Sequence, residues 1–447
     1  LEGQPLKTFS KGGVHPPENK MASGSAIIAL PLPETVCIHL SQHLGAPANP
    51  LVNKGDQVRT GQLIAASTGF VSANIHSPVS GVVQKIEPAP DATGYPRPAI
   101  WIEVKGDEWV EGIDRSDDLI KPNGISREDI IDRIREMGIV GLGGATFPTH
   151  VKVSVPKGKK AGLLIINGVE CEPFLTSDHR LMLEKSDEIL TGITLLMRAL
   201  EVEKAIIGIE RNKPDAIDIL GRLAAKYTGI SVCPLKVKYP QGGEKQLIKA
   251  VTGREVPSLG LPIDVGVVVQ NVGTAFAVYE AVLKNKPLVE RVVTVTGKKL
   301  SKPSNFLVRI GTPVSKLIEA AGGLPDGSGK VINGGPMMGK ALPLLGVPVT
   351  KGTSGIVVMP VTESLRQPVM NCIRCSRCNQ ACPMGLEPYL LMSLGEAKRW
   401  DDMESARTLD CMECGSCSYT CPSHRPLLDY IRVGKANVNR LIKARKS

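Results

Sequence analysis

No apolar run in this 447-residue sequence approaches the roughly 18 residues that a membrane-crossing helix needs. The two longest candidates, Ala161–Ile166 and Val265–Val269, are of strand length, so the chain is not expected to span a bilayer by itself. Aromatic residues are scarce, with three Trp, seven Tyr and six Phe, and none is interleaved with basic runs. The net charge of +10 therefore does not read as a nucleic-acid surface; an acidic protein partner or anionic lipid suits it better. A charged-then-apolar leader is missing too, and Leu1–Pro5 read as residues ahead of a native start near Leu6. What remains is an ordinary globular composition, 42% hydrophobic and 22% charged, long enough for about three domains.

Cysteine is the informative residue. Cys372-x2-Cys375-x2-Cys378-x3-Cys382-Pro383 recurs as Cys411-x2-Cys414-x2-Cys417-x3-Cys421-Pro422, each cysteine 39 residues after its counterpart. Three thiolates at i, i+3 and i+6 cap three corners of an iron-sulfur cube, and the fourth, followed by proline, turns away to the other cluster. The expected sets are Cys372, Cys375, Cys378 and Cys421 for one 4Fe-4S cluster, and Cys411, Cys414, Cys417 and Cys382 for the second. Two structural zinc sites are the alternative, but they would appear as CxxC pairs separated by a longer loop. Iron held by four thiolates has no open site, so the implied work is passing single electrons. Eight thiolate ligands also argue for a reducing compartment, hence the cytoplasm. Cys37, Cys171 and Cys233 read as buried small hydrophobes.

The fold class expected is multidomain α/β plus β. Residues 6–110 alternate β-branched residues with Gly-Asp and Gly-Gln turns, as in Gly55-Asp56 and Gly61-Gln62. They resemble the lipoyl and biotinyl barrel-sandwich, without the modified lysine between Ala66 and His76. His39-x3-His43 lacks a third ligand nearby and reads as solvated. Residues 120–287 open with Ser126 capping a helix that ends at Gly138. They continue as strand Leu163–Ile166, helix Ser177–Leu200, strand Ala205–Ile209, helix Asp215–Lys226, strand Ile230–Val237, helix 243–252, strand Val265–Val269 and helix 274–283. That alternation makes a parallel sheet covered by helices, with its ligand outside the carboxyl ends of the strands. Residues 288–345 read as a β-grasp-like unit of the SLBB type, 346–364 as a linker with one strand, and 365–430 as a helical two-cluster ferredoxin domain with helices over Leu386–Lys398 and Asp402–Thr408. The basic stretch 431–447 reads as a solvated helix face or frayed tail, or as a surface that docks on an acidic partner or membrane.

Gly138-Ile-Val-Gly141-Leu-Gly143-Gly144-Ala145-Thr146-Phe147-Pro148 lets backbone N–H groups approach a phosphate or a ring. It is not a Rossmann fingerprint, because Thr146 stands where the third glycine belongs and the loop follows a helix. Polar sequence leaves three strand ends: Asn167-Gly-Val-Glu170-Cys-Glu172-Pro173, Tyr239-Pro-Gln-Gly242-Gly243-Glu244-Lys245 and Gln270-Asn271-Val-Gly-Thr274. Together these segments resemble those that hold FMN and NADH in the flavin subunit of respiratory complex I, whose patterns read G-R-G-G-A-G-F-P-T-G-x-K, N-A-D-E-x-E-P, Y-x-C-G-E-E and N-N-V-E-T. With Phe9-Ser-Lys-Gly-Gly-Val-His15-Pro-Pro17 in front and the double cysteine motif behind, residues 6–435 resemble the C-subunit family of the Rnf ion-translocating ferredoxin:NAD oxidoreductases.

The resemblance implies a flavoprotein with non-covalent FMN, two 4Fe-4S clusters and NAD(H) as substrate. FMN would lie among Gly141, Gly143, Gly144, Lys152, Asn167, Glu170, Tyr239, Gly243, Glu244, Asn271 and Thr274, with Phe147 and Glu172 at the nicotinamide nucleotide. No acid-base residue is required. Implied partners are the other subunits of a membrane-bound oxidoreductase and, indirectly, a ferredoxin-type donor; the implied location is the cytoplasmic side of the cell membrane, held peripherally. The sequence departs from the complex I patterns at Leu142, Val169, Lys245, Gln270 and Gly273, and Lys245 adds a positive charge expected near the cofactors. Two other readings stay open: a soluble flavin and iron-sulfur reductase of the cobalamin-reductase kind, and an electron-wire subunit that has lost its nucleotide.

Overall fold

The computed structural model describes residues 6–445, so Leu1–Pro5 and the last two residues of the basic tail lie outside it. The expected class holds. Residues 35–106 form two antiparallel sheets, one of four strands built on the long pair Ser80–Pro90 and Pro96–Gly106, the other of three short strands. Their inward positions, among them Ile38, Ile64, Val83, Ile100 and Ile102, share one core. His39 and His43 are not solvated: both are buried in this unit, and desolvation holds both imidazoles below their ordinary pKa. His43 Nε2 meets the Ala46 carbonyl at 2.8 Å, so it serves the turn and not a metal.

Four parallel strands make the central sheet, in the order Ile230–Leu235, Ala205–Glu210, Leu163–Asn167, Val267–Asn271. A strand covered on both faces must be apolar throughout, and Leu163-Leu-Ile-Ile is. Leu164 and Ile166 face the core that holds Leu190, Ile193 and Val278, while Ile165 faces Leu247 and Ile248. The register sets Asn167 beside Asn271 at the carboxyl end. Ser126 caps the preceding helix, Arg127–Glu136, accepting from the Asp129 amide. The single helix expected over 177–200 is two, Ser177–Glu184 and Ser186–Leu200, because Lys185 leaves helical geometry at φ −131° and the Ser186 hydroxyl donates to the Met182 carbonyl.

Six strands form the next sheet, ordered Ile27–Ala29, Ser304–Arg309, Glu290–Thr296, Gly355–Pro360, Ser328–Asn333, Lys340–Ala341. It recruits a strand from each side of the expected unit. Ile27–Ala29 adds an edge, and Gly355–Pro360, expected in a linker, is central, parallel to Glu290–Thr296 and antiparallel to Ser328–Asn333.

The cysteine-rich end is helical, and its backbone repeats as its sequence does. Left-handed residues fall at Arg374 and Ser376 in the first copy and at Glu413 and Gly415 in the second; helices begin at Pro388 and Leu427, again 39 positions apart. The basic stretch is not a free tail. Through Ala444 it belongs to the helix Leu427–Ala444, which buries Ile431 and Val438 and presents Gly434 to Met403, where any Cβ would collide with the thioether. Three of its charges are paired: Arg432 and Lys435 with Glu413, Arg445 with Asp401 and Glu404. No helix of the described residues is long and apolar enough to cross a membrane.

One ionic hub joins the first three units. Lys286 Nζ lies 2.6 Å from both Glu280 and Glu290, all three side chains largely buried. Arg309 bridges Glu290 at 3.0 Å to Asp107 at 2.9 Å, and Trp109 stacks under Arg309, Arg115 and Lys286. Burial alone would lower the Lys286 pKa, but the two carboxylates outweigh it and raise it. Removing one partner of a buried cluster strands the rest. Lys286→Met should therefore cost about 3–5 kcal/mol in thermal or urea unfolding. The deficit should shrink in mild acid, where Glu280, its carboxyl held above the ordinary pKa by burial, can protonate, and grow as pH rises towards neutrality.

Candidate functional site

The glycine loop closes over the strand ends. The Leu142 amide donates to Thr274 Oγ1 at 3.0 Å, and Gly143 lies so close to Asn271 that a Cβ would stand 2.6 Å from its amide nitrogen. Asn271 caps the helix Val272–Leu283 by accepting from the Gly273 amide, and donates to Asp178 at 2.7 Å and to the Asn167 carbonyl at 3.4 Å. Asn167 donates to the Gly242 carbonyl at 2.9 Å, which brings the third strand's loop across. Lys152 pairs with Glu244 at 2.8 Å and donates to the Val269 carbonyl at 3.0 Å. Gly143, Lys152, Asn167, Glu244, Asn271 and Thr274 are thus drawn together at the strand ends, with Gly141 and Gly144 in the same loop and Gly243 beside Glu244.

Backbone amides, a lysine and side-chain amides gathered here are donors of the kind a flavin phosphate and ring would take up. Space opens above Gly144, where a Cβ would meet nothing, and Gln270 Nε2 is buried with no partner among the described residues. Thr146 takes the left-handed φ of +54° where the complex I pattern has glycine, a costly geometry for a β-branched residue. Two other units hold it there: its carbonyl accepts from the Leu44 amide, and its methyl packs against Gly352. Phe147 is half-buried, its carbonyl accepting from the Gly141 amide. Lys245 points elsewhere and bonds the Pro257 carbonyl in an exposed position.

Glu170, Glu172 and Tyr239 form a second group with other partners. The Glu170 carboxylate accepts from the amides of Asp178 and His179, capping the helix Ser177–Glu184. Glu172 accepts from the amides of Met337 and Met338, at 3.1 and 2.8 Å, and from Tyr239 Oη at 3.4 Å. Burial is the main cause that lifts its carboxyl to about 7. Tyr239 Oη also donates to the Cys414 carbonyl at 2.8 Å, linking the strand-end loop to a cysteine loop.

The eight motif cysteines fall into two neighbourhoods. Cys382 stands close enough to Cys411, Cys414 and Cys417 to raise their thiol pKa values, and Cys421 does the same to Cys378, although burial is the larger cause in each. Cys411 is pushed up to about 11 and Cys417 to about 12, so metal-free thiols there are protonated and cluster binding must release protons. Cys372 and Cys375 sit in an exposed segment. Of the leftover cysteines, Cys37 is buried as expected and Cys171 and Cys233 are half-buried; desolvation raises all three thiols, Cys37 to about 12.

Sequence reasoning took Phe9–Pro17 only as a family mark. It is a strap. Val14 and Tyr239 exchange both backbone hydrogen bonds at 2.9 Å, and the Gly13 amide donates to the Ala381 carbonyl at 2.9 Å. At Gly12, φ +67°, a Cβ would stand 2.5 Å from the Cys382 carbonyl. The Gly-Gly pair was the visible signal. Asp178 was missed as well, since nothing local marks a carboxylate that bonds Asn271; burial first, then Glu170, raises its pKa.

A carboxyl held at about 7 in the fold and near 4.5 when unfolded binds more protons in the native state between those values. Glu172 therefore makes stability fall as pH rises from about 4.5 to about 7. Glu172→Gln should abolish that part of the pH dependence, on the order of 2–3 kcal/mol, in unfolding midpoints followed from pH 4.5 to 8.

Family models match in chain order: an RnfC barrel sandwich hybrid domain over 7–107, a Nuo51 FMN-binding domain over 134–280, an SLBB domain over 292–341 and a 4Fe-4S dicluster domain over 366–426. The C subunit of the proton-translocating ferredoxin:NAD(+) oxidoreductase complex of Clostridium ljungdahlii is 48% identical over 440 residues, 96% of this chain and 94% of that one. The C subunit of the Na(+)-translocating complex of Acetobacterium woodii is 44% identical over 433 residues, 96% of both. An NAD+-reducing [NiFe]-hydrogenase structure shares the fold at 20% identity and TM-score 0.50, covering 71% of this chain and 63% of that one. Identity of this order along nearly the whole length means that the chain belongs to the C-subunit family of ion-translocating ferredoxin:NAD(+) oxidoreductase complexes.

Proposed function

We propose that this chain is the NAD(H)-reacting electron-transfer subunit of an ion-translocating membrane complex. The observation that carries the reading is the junction at Tyr239, where the loop bordering the flavin wall hydrogen-bonds the cysteine loop at Cys414. Bound FMN would supply hydride exchange with the nicotinamide, and the two clusters one-electron relay. The glycine loop and the two asparagines orient the flavin, Lys152 and Glu244 border its wall, and Phe147 borders the nucleotide. Glu172 sets the position of the Met337–Met338 turn against Tyr239. The cysteine sets are the crossed ones, Cys372, Cys375, Cys378 with Cys421 and Cys411, Cys414, Cys417 with Cys382, a reading supported by the mutual influence of their thiols.

Two departures from the complex I patterns are coupled. Where those have Arg and Glu, this chain has Leu142 and Gly273, and a Cβ at Gly273 would meet Leu142 at 3.6 Å. Leu142 thus lies over the space that a side chain at Gly273 would enter, so the two replacements fit each other, which favours a retained site over a decayed one. The subunit docks peripherally on the cytoplasmic face through its partners, and a high-salt or alkaline wash should release it from membranes.

Anaerobically isolated protein should contain eight iron per chain, and Cys421→Ser should damage the cluster built on Cys372, Cys375 and Cys378; EPR showing loss of the other cluster alone would overturn the crossed sets. NADH under argon should bleach the flavin and then reduce the clusters. Gly144→Val should leave cluster-replete, flavin-free protein. Wild type that holds FMN and responds to dithionite but not to NADH would instead make the chain an electron wire.

A further inference from the structure

A cavity of about 530 Å³ opens between the strap and the carboxyl ends of the strands Ala205–Glu210 and Ile230–Leu235. Of the residues assigned to FMN or the nucleotide, only Tyr239 lines it. Its volume lies in the range of small-ligand sites. Four lysine and arginine side chains face it, Lys20, Arg211, Lys236 and Lys238, against two carboxylates, Glu18 and Glu210.

Most of these groups are already engaged. Lys20 Nζ donates to the carbonyls of Glu170, Glu172 and Leu175, and Lys238 Nζ donates to the Phe9 carbonyl and lies 4.1 Å over its ring. Glu18 accepts from Asn212, and Glu210 accepts from the Lys238 amide. Arg211 and Lys236 remain. Both are exposed, and among the described residues neither side chain has a hydrogen-bond or ion-pair partner. They are neighbours by register, because each follows a residue of the pair Glu210 and Leu235 and the Arg211 amide donates to the Leu235 carbonyl.

Positive charge here is under-compensated. Lys20 is held at about 8 by burial and then by Lys213, and Lys238 is lowered by burial and then by Lys236. An anion between Arg211 and Lys236 would relieve that repulsion, and an arginine fork with a lysine point charge is suited to phosphate. Pro16, Pro173 and Val237 add an apolar flank for an organic group.

We propose that this cavity is a binding site for a small phosphorylated anion, with Arg211 and Lys236 holding the phosphate. Its occupant would touch Tyr239 and the strap at once. The test uses full-length protein loaded with flavin and clusters, titrated calorimetrically with inorganic pyrophosphate and with ADP. Both should saturate the wild type, and Arg211→Gln/Lys236→Gln, altered only at exposed positions, should bind at least about tenfold more weakly while its flavin is reduced by NADH as before. ADP binding more tightly than pyrophosphate would support the site and add the nucleoside to its ligand; equal affinity would support a site that reads phosphate alone. No saturation by either probe at millimolar concentration, affinity unchanged in the double variant, or displacement of both probes by NADH would each overturn the proposal.

Discussion

Everything that makes this chain one electron-transfer unit passes through the contact between Tyr239 and the cysteine loops. A flavin wall and a ferredoxin domain are useful together only if the gap between them is fixed, and few covalent links help: more than 100 residues of chain separate Tyr239 from Cys378. The gap is set instead by backbone hydrogen bonds. Val14 pairs with Tyr239, Gly13 with Ala381, and the tyrosine hydroxyl reaches Cys414. Buried bonds of this kind are strengthened by low local dielectric and lose much if one member goes unpaired. The strap can lie that close only because Gly12 carries no side chain against Cys382.

The same region is short of charge. Burial raises the Glu172 carboxyl to about 7, and burial with the neighbouring Glu170 raises that of Asp178, so near neutral pH the loops at the strand ends carry less negative charge than their sequence suggests. A site that must receive an anionic dinucleotide beside an anionic flavin phosphate gains from that. Lys152 and Glu244, by contrast, form a partly exposed pair, the kind that contributes little to stability and can re-form around a phosphate.

How much of this was legible in the sequence follows from how local each signal is. The doubled cysteine spacing, the glycine loop and the alternation of strands with helices are patterns within 10 to 40 residues, and the fold carries them through. What escaped was non-local. Nothing near Gly355 says that its strand will slot between two strands made earlier, and nothing near Glu172 says that its acceptors will meet the turn at Met337 and Met338. Helical periodicity continues through Lys185, yet the packing breaks the helix there. His39 and His43 looked solvated because polarity was judged without the sheet that buries them. The basic end looked free because its acidic partners Asp401, Glu404 and Glu413 precede it by 19 to 44 residues.

The 39-residue repeat, read together with its exchanged fourth cysteines, has the form of a swapped dimer fused into one polypeptide. In the crossed sets proposed above, each half would supply three ligands to its own cluster and lend one to its twin, so neither half would be self-sufficient. During synthesis this would impose an order: the second quartet is complete once Cys417 is made, because its lender Cys382 comes earlier, whereas the first waits for Cys421. The strap can pair with Tyr239 as soon as that strand end is made, but its contact with Ala381 waits for the cysteine-rich end.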